Sequence, residues 1–386
     1  MIITQQKELR DFCRTLKNVE FITVDTEFLR EKTYYPKLCL IQVSGPDKEA
    51  AAIDPLADDI DLAPLYELLF DDSLLKIFHA GRQDMEIFFN LNGKIVYPLF
   101  DTQIAAMVCG YGDQVGYETL VREIAKVQMD KSSQYTDWSR RPLSQKQLDY
   151  ALGDVTHLCD IYLKLRAELD KRGRTEWVFQ EEDILLDPAT YEMPLEDMWK
   201  RIKIRSPKPK TLAVLRELAA WREEKAQKRN IPRGWVMRDE ILAEMAAQAP
   251  QSVKDLKKIR NLSDDMAESG TGEHLITVIK KGLASPQNSW PSVKKRKPPT
   301  PEISAKIDIL KMLLKIQAAT NDVAPKLIIS NSDLERLATE DKPDITALKG
   351  WRYEVFGREA IALKNGETAI GLKNSRIEKF SVSGKN

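Results

Sequence analysis

A predicted strand that ends in two carboxylates is the feature of this sequence that most constrains its fold. Residues 21–24 are apolar enough to predict a buried strand, and Asp25 and Glu27 follow within three positions. Side chains two positions apart on a strand project from the same face, so both anions point the same way. Like charges at that spacing repel unless a cation lies between them. The stretch fits either a strand that runs out into solvent or one half of a metal site.

The composition is that of a globular protein and limits what could hold a metal. The 386 residues are 42% hydrophobic and 31% charged, which suits two or three domains. The first residues do not resemble a signal peptide and no apolar run could span a bilayer, so we expect a cytoplasmic protein without a membrane partner. The cysteines and histidines are scattered, which predicts reduced thiols and a metal site of oxygen ligands; they are Cys13, Cys39, Cys109, Cys159, His79, His157 and His274.

A split in charge divides the chain, although its net charge is zero. Residues 1–200 carry 23 Lys and Arg against 36 Asp and Glu, a net charge of −13, and residues 201–386 carry 36 against 23. Such an asymmetry favours an acidic catalytic body joined to a basic nucleic-acid-binding part. Ordinary solvated helices could also produce it, so the split supports this interpretation without requiring it.

The order of the predicted elements indicates an α/β or α+β layer structure for residues 1–172. An amphipathic helix from Thr4 to about Leu16 precedes apolar runs of strand length, and helical patterns then continue to Gly173, a predicted C-cap. The predicted strands are residues 20–28, 38–44, 50–54 and 75–78.

Composition divides the rest of the chain into two helical units and their linkers. Residues 173–210 contain prolines and positive charges and are predicted to connect the first unit to a helical unit at 211–284. A Pro- and Lys-rich stretch at 285–300 is predicted to be a second linker. Residues 301–375 are predicted to form another small unit that begins helical and ends in short β-like pieces, and residues 376–386 a flexible tail.

Two predicted helices can supply the further carboxylates that a metal site containing Asp25 and Glu27 requires. Asp84 lies near a helix start, where an acidic residue also complements the helix dipole. Tyr150 and Asp154 are four apart on one helix face, and Asp154 has apolar neighbours, so a cation is its expected partner. We interpret Asp101 and Asp160 as caps or solvated residues. Four clustered carboxylates suit two divalent cations. Such cations can activate a water molecule to attack a phosphodiester bond.

Three motifs carry a resemblance to a known superfamily. "VDTEF", "HAGRQDMEIF" and "YALGDVTHL" resemble the exonuclease motifs of the DEDD superfamily, with Asp25 and Glu27 in the first, Asp84 in the second, and Tyr150 and Asp154 in the third. Tyrosine four residues before the last Asp is typical of the Tyr subtype. The segments "PLFDTQIAAMV" and "DKSSQYTDWSRRPLSQKQLDYALGDV" resemble ribonuclease D more than polymerase proofreading domains. Any one motif alone would be weak, whereas together they are specific.

The C-terminal half extends the same resemblance. Residues 211–284 are similar to the HRDC domain of ribonuclease D, and residues 301–375, with "GWRYEVFG", resemble a divergent second HRDC-type unit. The resemblance implies a ribonuclease H-like exonuclease domain with a mixed β-sheet, followed by two small all-α domains. It also implies a 3′–5′ exoribonuclease that uses two Mg²⁺, or Mn²⁺, and releases nucleoside 5′-monophosphates. The oligomeric state is left open by the sequence, with a monomer favoured. The expected substrates are structured RNAs with a free 3′ end, tRNA precursors above all.

The resemblance also suggests roles for individual residues. The Tyr150 hydroxyl would orient the attacking water or hydrogen-bond the scissile phosphate, with a half-buried packing role as the alternative. Phe28 would stack on the terminal bases, although core packing is as consistent with its position. The remaining predicted substrate-binding residues are His79, Lys225, Arg229, Lys257 and Lys258. The basic helices that carry the lysines could equally be solvated faces or could bind protein.

Two other functions fit the same residues. A DNA 3′–5′ exonuclease would use the same carboxylates, because sugar identity is read by contacts to the 2′-hydroxyl rather than by the metal centre. A catalytically silent RNA-binding scaffold is the second alternative, but such a protein would have no reason to keep four clustered anions. Digestion of matched RNA and DNA separates these alternatives.

Overall fold

A six-stranded mixed sheet forms the N-terminal unit in the computed structural model, which describes residues 1–130, 132–134, 136–205, 207–292 and 298–382. The strand order is β1-β4-β3-β2-β5-β6. The elements of this unit are β1 (Ile2–Ile3), α1 (Gln6–Thr15), β2 (Phe21–Leu29), β3 (Lys37–Ser44), β4 (Ala50–Ile53), α2 (Ala63–Leu69), β5 (Leu75–Phe78), α3 (Arg82–Asn92), β6 (Leu99–Asp101), α4 (Thr102–Val108), α5 (Tyr117–Leu120), a π-turn (Val121–Ala125) and α6 (Gln145–Arg172).

The central strand β2 pairs antiparallel with β3 and parallel with β5. The four predicted strands are confirmed to within one residue at each end. The sequence did not predict β1 and β6, because strands of two and three residues are too short to show an alternating pattern. The predicted mixed-sheet fold class is confirmed. A β-bulge between Glu27 and Phe28 shifts the register of β2 just beyond the acidic pair.

Helix α6 is 28 residues long and crosses one face of this sheet. It begins with a capping box in which Ser144 and Gln147 bond each other's backbone N–H groups, and it ends at Gly173, whose φ of 64° suits glycine. The Thr23 hydroxyl on β2 donates to the Val155 carbonyl on α6 at 2.8 Å. This buried contact holds the middle of α6 against the central strand.

The predicted connecting segment, residues 173–210, divides between two hydrophobic cores. Helix α7 (Thr175–Leu186) packs on the sheet unit through Val178 and Leu185. A short 3₁₀ turn (Pro188–Thr190) follows, and a second 3₁₀ segment (Leu195–Arg201) packs Met198 against the next helix. The segment is therefore folded over most of its length, and Ser206 lies outside the described residues.

Two small helical units follow, each with its own core. The first contains α8 (Pro209–Arg229), α9 (Arg233–Val236), α10 (Asp239–Gln248), α11 (Val253–Leu256), α12 (Asp264–Glu268) and α13 (Gly270–Ala284), with a 3₁₀ turn at Gln287–Ser289. The second contains α14 (Pro301–Thr320), α15 (Pro325–Ile328), α16 (Asn331–Thr339), a 3₁₀ turn (Thr346–Leu348), α17 (Gly350–Arg352), a π-turn (Tyr353–Gly357) and α18 (Arg358–Lys364). The predicted linker at 285–300 includes residues 293–297, which lie outside the described residues.

A β-hairpin closes the described chain and corrects the expectation of a tail from residue 376. Strand β7 (Thr368–Lys373) pairs antiparallel with β8 (Arg376–Ser381), so the second unit is not entirely helical. Asn374 and Ser375 both have positive φ, the backbone that a two-residue hairpin turn requires. Residues 383–386 of the predicted tail lie outside the described residues.

The loop between β2 and β3 joins the sheet unit to the first helical unit. The Tyr34 hydroxyl bonds Glu223 and accepts from Arg233 at 3.0 Å, and the Arg233 guanidinium lies 4.7 Å from the Tyr34 ring centre. The Asn230 side-chain oxygen accepts from the backbone N–H groups of Tyr34 and Tyr35, each at 3.1 Å. The end of α8 is thereby attached to the loop that follows β2.

A pair of stacked indoles joins the second helical unit to the sheet unit. The rings of Trp177 on α7 and Trp351 on α17 lie 4.4 Å apart and 9° from parallel. Arg352 forms an ion pair with Glu181 and donates to the Leu327 carbonyl. Within the described residues, no helix is both long and apolar enough to cross a bilayer.

Candidate metal centre

The structure brings three of the four predicted carboxylates into one cluster. Oxygen atoms of Asp25, Glu27 and Asp154 all lie within 4.8 Å of one another. Asp25 and Glu27 share one face of β2, and α6 places Asp154 over that face. The cluster therefore depends on a sheet-to-helix contact between residues more than a hundred positions apart.

Asp84 lies beside this cluster, on the first turn of α3. It is buried, and its Oδ1 accepts a hydrogen bond from the Thr26 hydroxyl at 2.5 Å. Thr26 follows Asp25 on β2, so the contact places a fourth carboxylate next to the acidic strand. The negative charge of Asp84 also contributes to the raised pKa of Glu27.

Removal from water raises the pKa values of all four carboxyl groups, and repulsion from neighbouring carboxylates adds to the effect at Asp25, Glu27 and Asp84. The pKa of Glu27 rises to about 10, chiefly through desolvation and then through Asp25, Asp154 and Asp84. Desolvation raises the pKa of Asp154 to about 8, against the opposing effect of its hydrogen bond with Tyr150. The pKa values of Asp25 and Asp84 are also raised well above normal, by desolvation and then by the neighbouring carboxylates. Such a cluster is costly to ionise without a cation.

The donor set fits a hard divalent cation. Every candidate ligand is a carboxylate oxygen, which is the ligand class that Mg²⁺ and Mn²⁺ prefer over sulphur or nitrogen. A bound cation would offset the repulsion that raises these pKa values. Asp25, Glu27 and Asp154 could hold a cation directly, and Asp84 is placed to complete the site from its edge.

Tyr150 lies one helical turn before Asp154 and is hydrogen-bonded to it. Desolvation and the nearby carboxylates, Asp154 first, raise the pKa of this phenol, so it stays protonated at neutral pH. Its ring also packs near Trp138, with ring centres 6.2 Å apart. A neutral hydroxyl in this position can donate a hydrogen bond to water or phosphate.

A cavity of about 250 Å³ opens beside these residues. Tyr150 and Asp154 form one side, and Tyr117, Thr119 and Gln134 are among the residues that line the rest. The Tyr117 hydroxyl donates to the carbonyl of Asp154 at 2.7 Å and therefore supports the turn of α6 that carries the carboxylate. The sequence offers no signal for Tyr117, because it lies in a short helix without a recognisable motif.

Asp101 is confirmed as a helix cap, and it also holds the segment that leads into α3. Its carboxylate accepts from the backbone of Gln103 at 2.8 Å in α4, and from Ala80 at 3.1 Å and Gly81 at 2.9 Å before α3. Its own N–H donates to buried Glu182 at 2.6 Å. One buried carboxylate thus ties the start of the Asp84 helix to two other elements. Asp160, the other residue interpreted as a cap or solvated, bonds Lys48 at the surface.

The predicted substrate-binding residues are not gathered at the cluster. Phe28 is partly buried against the sheet core, which matches the packing alternative. His79 contacts Thr102 and Tyr117. Its Nδ1 lies 3.0 Å from the Thr102 hydroxyl, and its ring centre lies 5.4 Å from that of Tyr117. Burial lowers the pKa of His79. The remaining residues lie in the first helical unit, and all four are exposed: Lys225, Arg229, Lys257 and Lys258.

Two of these exposed lysines are engaged in local ion pairs. Lys257 pairs with Glu268, and Lys258 pairs with Asp255 at 2.8 Å. Contacts of this kind between exposed side chains are weak and would compete poorly with a polyanion. The role of these residues in binding RNA stays a prediction.

Comparison with known proteins identifies two domains. Residues 1–170 match a family model described as a 3′–5′ exonuclease, and residues 211–279 match the HRDC domain. The chain is 45% identical over 377 residues to ribonuclease D of Bartonella henselae, an alignment that covers 97% of this chain and 93% of that protein. It is also 45% identical over 382 residues to ribonuclease D of Nitrobacter hamburgensis, with 99% and 100% of the two chains covered.

The fold has a close match among solved structures. The crystal structure of Escherichia coli RNase D, an exoribonuclease involved in structured RNA processing, superimposes with a TM-score of 0.80. Its sequence is 30% identical, and the match covers 95% of this chain and 98% of that one. Identity at this level over nearly the full length, together with the exonuclease and HRDC matches, settles the relationship. The chain belongs to the ribonuclease D family of 3′–5′ exoribonucleases.

Proposed function

We propose that this enzyme removes nucleotides from the 3′ end of RNA with two divalent cations, normally Mg²⁺, and releases nucleoside 5′-monophosphates. The observation that carries this proposal is the meeting of Asp25, Glu27 and Asp154 oxygens within 4.8 Å, with Asp84 beside them. When bound, divalent cations lower the pKa of the attacking water and stabilise charge on the leaving oxygen. Mn²⁺ satisfies the same oxygen ligands and is the expected substitute.

The reaction is a hydrolysis of the last phosphodiester bond. A water oxygen forms a bond to the phosphorus of the terminal nucleotide, and the bond from that phosphorus to the 3′-oxygen of the preceding nucleotide breaks. The attacking water gives up a proton to the solvent, and the leaving oxygen takes up a proton from the solvent and becomes the new 3′-hydroxyl, while the terminal nucleotide departs as a 5′-monophosphate. Each turn of the reaction therefore regenerates the kind of end on which the next can act.

The chain's own residues divide into ligands and a hydrogen-bond donor. The four carboxylates would hold the cations, and Thr26 and Tyr150 orient Asp84 and Asp154 by hydrogen bonds. The Tyr150 hydroxyl has one proton to donate, so it contacts the attacking water or the scissile phosphate in place of Asp154 when substrate is bound. The cavity beside Tyr150 is the candidate site for the terminal nucleotide.

Structured RNAs with a free 3′ end, and tRNA precursors above all, are the proposed substrates. The exoribonuclease activity and structured-RNA role of the Escherichia coli relative support this choice. The HRDC match and the net charge of +13 on residues 201–386 supply a part that can hold the RNA body. We further propose that the enzyme acts as a monomer in the cytoplasm.

The test is digestion of a tRNA with extra 3′ nucleotides, alongside matched single-stranded RNA and DNA. We expect Mg²⁺-dependent shortening of the RNA from its 3′ end, inhibition by a chelator, and slower attack on DNA. Equal rates on RNA and DNA would favour a DNA exonuclease. Binding of RNA without any digestion would favour a catalytically silent scaffold.

A further inference from the structure

Gln42 lies directly opposite Asp25 in the central pair of strands. The register of β2 and β3 pairs Asp25 with Gln42 and Glu27 with Leu40. Side chains directly opposite in an antiparallel pair project from the same face, with Cβ atoms about 5 Å apart. The Gln42 amide therefore extends from the face of the sheet that carries the acidic cluster and is covered by α6.

The Gln42 side chain is fully buried, at 0% exposure, and its amide is unsatisfied. Neither its nitrogen nor its oxygen has a hydrogen-bond partner among the residues that the structure describes. Its polar neighbours on this face differ, because Thr23 donates to the Val155 carbonyl and Ser44 donates to the Gly45 carbonyl at 3.1 Å. A buried amide without a partner destabilises a fold, so its presence calls for a partner that the amide does not have in the metal-free fold.

The carboxylates of the cluster differ in their side-chain support. Thr26 donates to Asp84, and Tyr150 is hydrogen-bonded to Asp154. For Asp25, a backbone hydrogen bond from Thr26 lowers its otherwise raised pKa. Carboxylates that hold metal ions are themselves held by hydrogen bonds from surrounding groups. The amide N–H of Gln42 is a buried side-chain donor that the sheet places opposite Asp25.

We propose that Gln42 is a positioning residue of the metal centre, whose amide N–H holds the Asp25 carboxylate when the cluster binds its cation. The inference rests on the proposed function, because it assigns Gln42 a partner only in the cation-bound protein. It also explains why a polar side chain occupies a position where an apolar one would pack.

The test replaces Gln42 by methionine, which has a similar length and shape but no hydrogen-bonding amide. Two measurements on the full-length chain are needed: thermal unfolding in the presence of a chelator, and the affinity for Mn²⁺ by calorimetry. We expect Gln42→Met to unfold at the same temperature as the wild type or about 2 °C higher without metal, because it removes an unsatisfied buried group. We expect its affinity for Mn²⁺ to fall by about tenfold or more.

Ser44→Ala is the matched control. Ser44 is buried on the same face of β3, two positions from Gln42, but its hydrogen bond is made within the chain. This control should lower the unfolding temperature and leave the affinity for Mn²⁺ unchanged.

Either of two results would overturn the role of Gln42. An unfolding temperature of Gln42→Met that falls as in the control would mean that the amide is already satisfied in the metal-free fold. An unchanged affinity for Mn²⁺ would mean that the amide does not support the site. Failure of the wild-type chain to bind Mn²⁺ would instead overturn the proposed metal centre, and the inference with it.

Discussion

The Thr26 hydroxyl donates to Asp84 Oδ1 at 2.5 Å and joins the acidic strand β2 to the acidic helix α3. Both residues are buried, so this contact is shielded from competing water. The carboxylate of Asp84 is thereby oriented by the residue that lies between Asp25 and Glu27. Thr26 is consequently part of the site, although its side chain points away from the face that Asp25 and Glu27 share.

Loss of the Thr26 hydroxyl should weaken metal binding. Thr26→Val keeps the shape of the side chain but leaves Asp84 without this donor, so the Mg²⁺ concentration for half-maximal activity should rise about tenfold. Thr26→Ser keeps a hydroxyl and should remain near the wild type. Titration of activity with Mg²⁺ compares the two variants, and identical curves would show that the hydroxyl does not matter to the site.

Neutralising one carboxylate of the cluster should separate activity from stability. Asp25→Asn or Asp154→Asn should abolish turnover, because each removes a proposed ligand. Each variant should also be more stable than the wild type without metal, by roughly 1 kcal/mol, and should unfold at a higher temperature, because a buried carboxyl group that is costly to ionise is gone. Single-turnover digestion and thermal unfolding measure the two effects. Near wild-type digestion by either variant would exclude that residue as a ligand.

Tyr150→Phe should slow the chemical step while leaving substrate binding nearly intact. The variant keeps the ring near Trp138 but loses the hydroxyl bonded to Asp154. A donor that acts in the transition state contributes about 10²-fold or more, so the single-turnover rate should fall by that factor with little change in RNA affinity. An unchanged rate would restrict Tyr150 to packing.

The raised pKa values predict that the metal-free protein loses stability as pH rises. The pKa of Asp154 is raised from 3.8 to about 8 and that of Glu27 from 4.5 to about 10. Between the unfolded and folded pKa values these two groups bind more protons in the folded chain, so their contribution to stability is fully present below about pH 4 and is lost as pH rises toward 8 to 10. Unfolding temperatures in chelator across this range provide the measurement.

Two controls assign this pH dependence to the cluster. Asp154→Asn removes one of the titrating groups and should flatten the decline. Added Mg²⁺ should also flatten it, because a bound cation stabilises the ionised carboxylates. A decline that is equally steep in the variant would place the titrating groups elsewhere in the protein.

The basic half should account for the salt dependence of RNA binding. A cut near Ser206 would expose Met198 and Ile202, which pack in the HRDC core, so a chain ending after Glu192 is the better truncation. It should still digest short oligonucleotides and bind tRNA more weakly. For every phosphate that the shortened chain no longer binds, the slope of log affinity against log salt should decrease by about 0.7 to 0.9.

Folding of the shortened chain has to be established by a melting curve, because Trp351 and Tyr34 interact across the two interfaces that the truncation removes. Equal salt slopes for two folded proteins would mean that the basic half does not hold the RNA. In that case the HRDC unit would be better explained as a protein-binding or stabilising domain.

Short-range patterns in the sequence determined the strands and the acidic motif residues. These patterns are the apolar run before Asp25, the two-residue spacing to Glu27, and the four-residue spacing between Tyr150 and Asp154. Residues two apart on a strand, or four apart on a helix, lie on the same face, so each spacing predicts that its two side chains are neighbours. The β-like end of the second unit was predicted, but its turn at 374–375 and the strand beyond residue 376 were missed, as was the folded segment at 195–201, for different reasons. The hairpin depends on positive φ at residues other than glycine, and the segment on burial against α8.

Only the tertiary structure decided how these motifs meet and which other residues support them. The distance between the β2 carboxylates and Asp154 depends on α6 crossing the sheet, which no local period encodes. Gln42 and Tyr117 enter the site through strand register and a long-range hydrogen bond. Local preferences specify which way a side chain points along its own element, whereas packing between elements distant in sequence determines what that side chain faces.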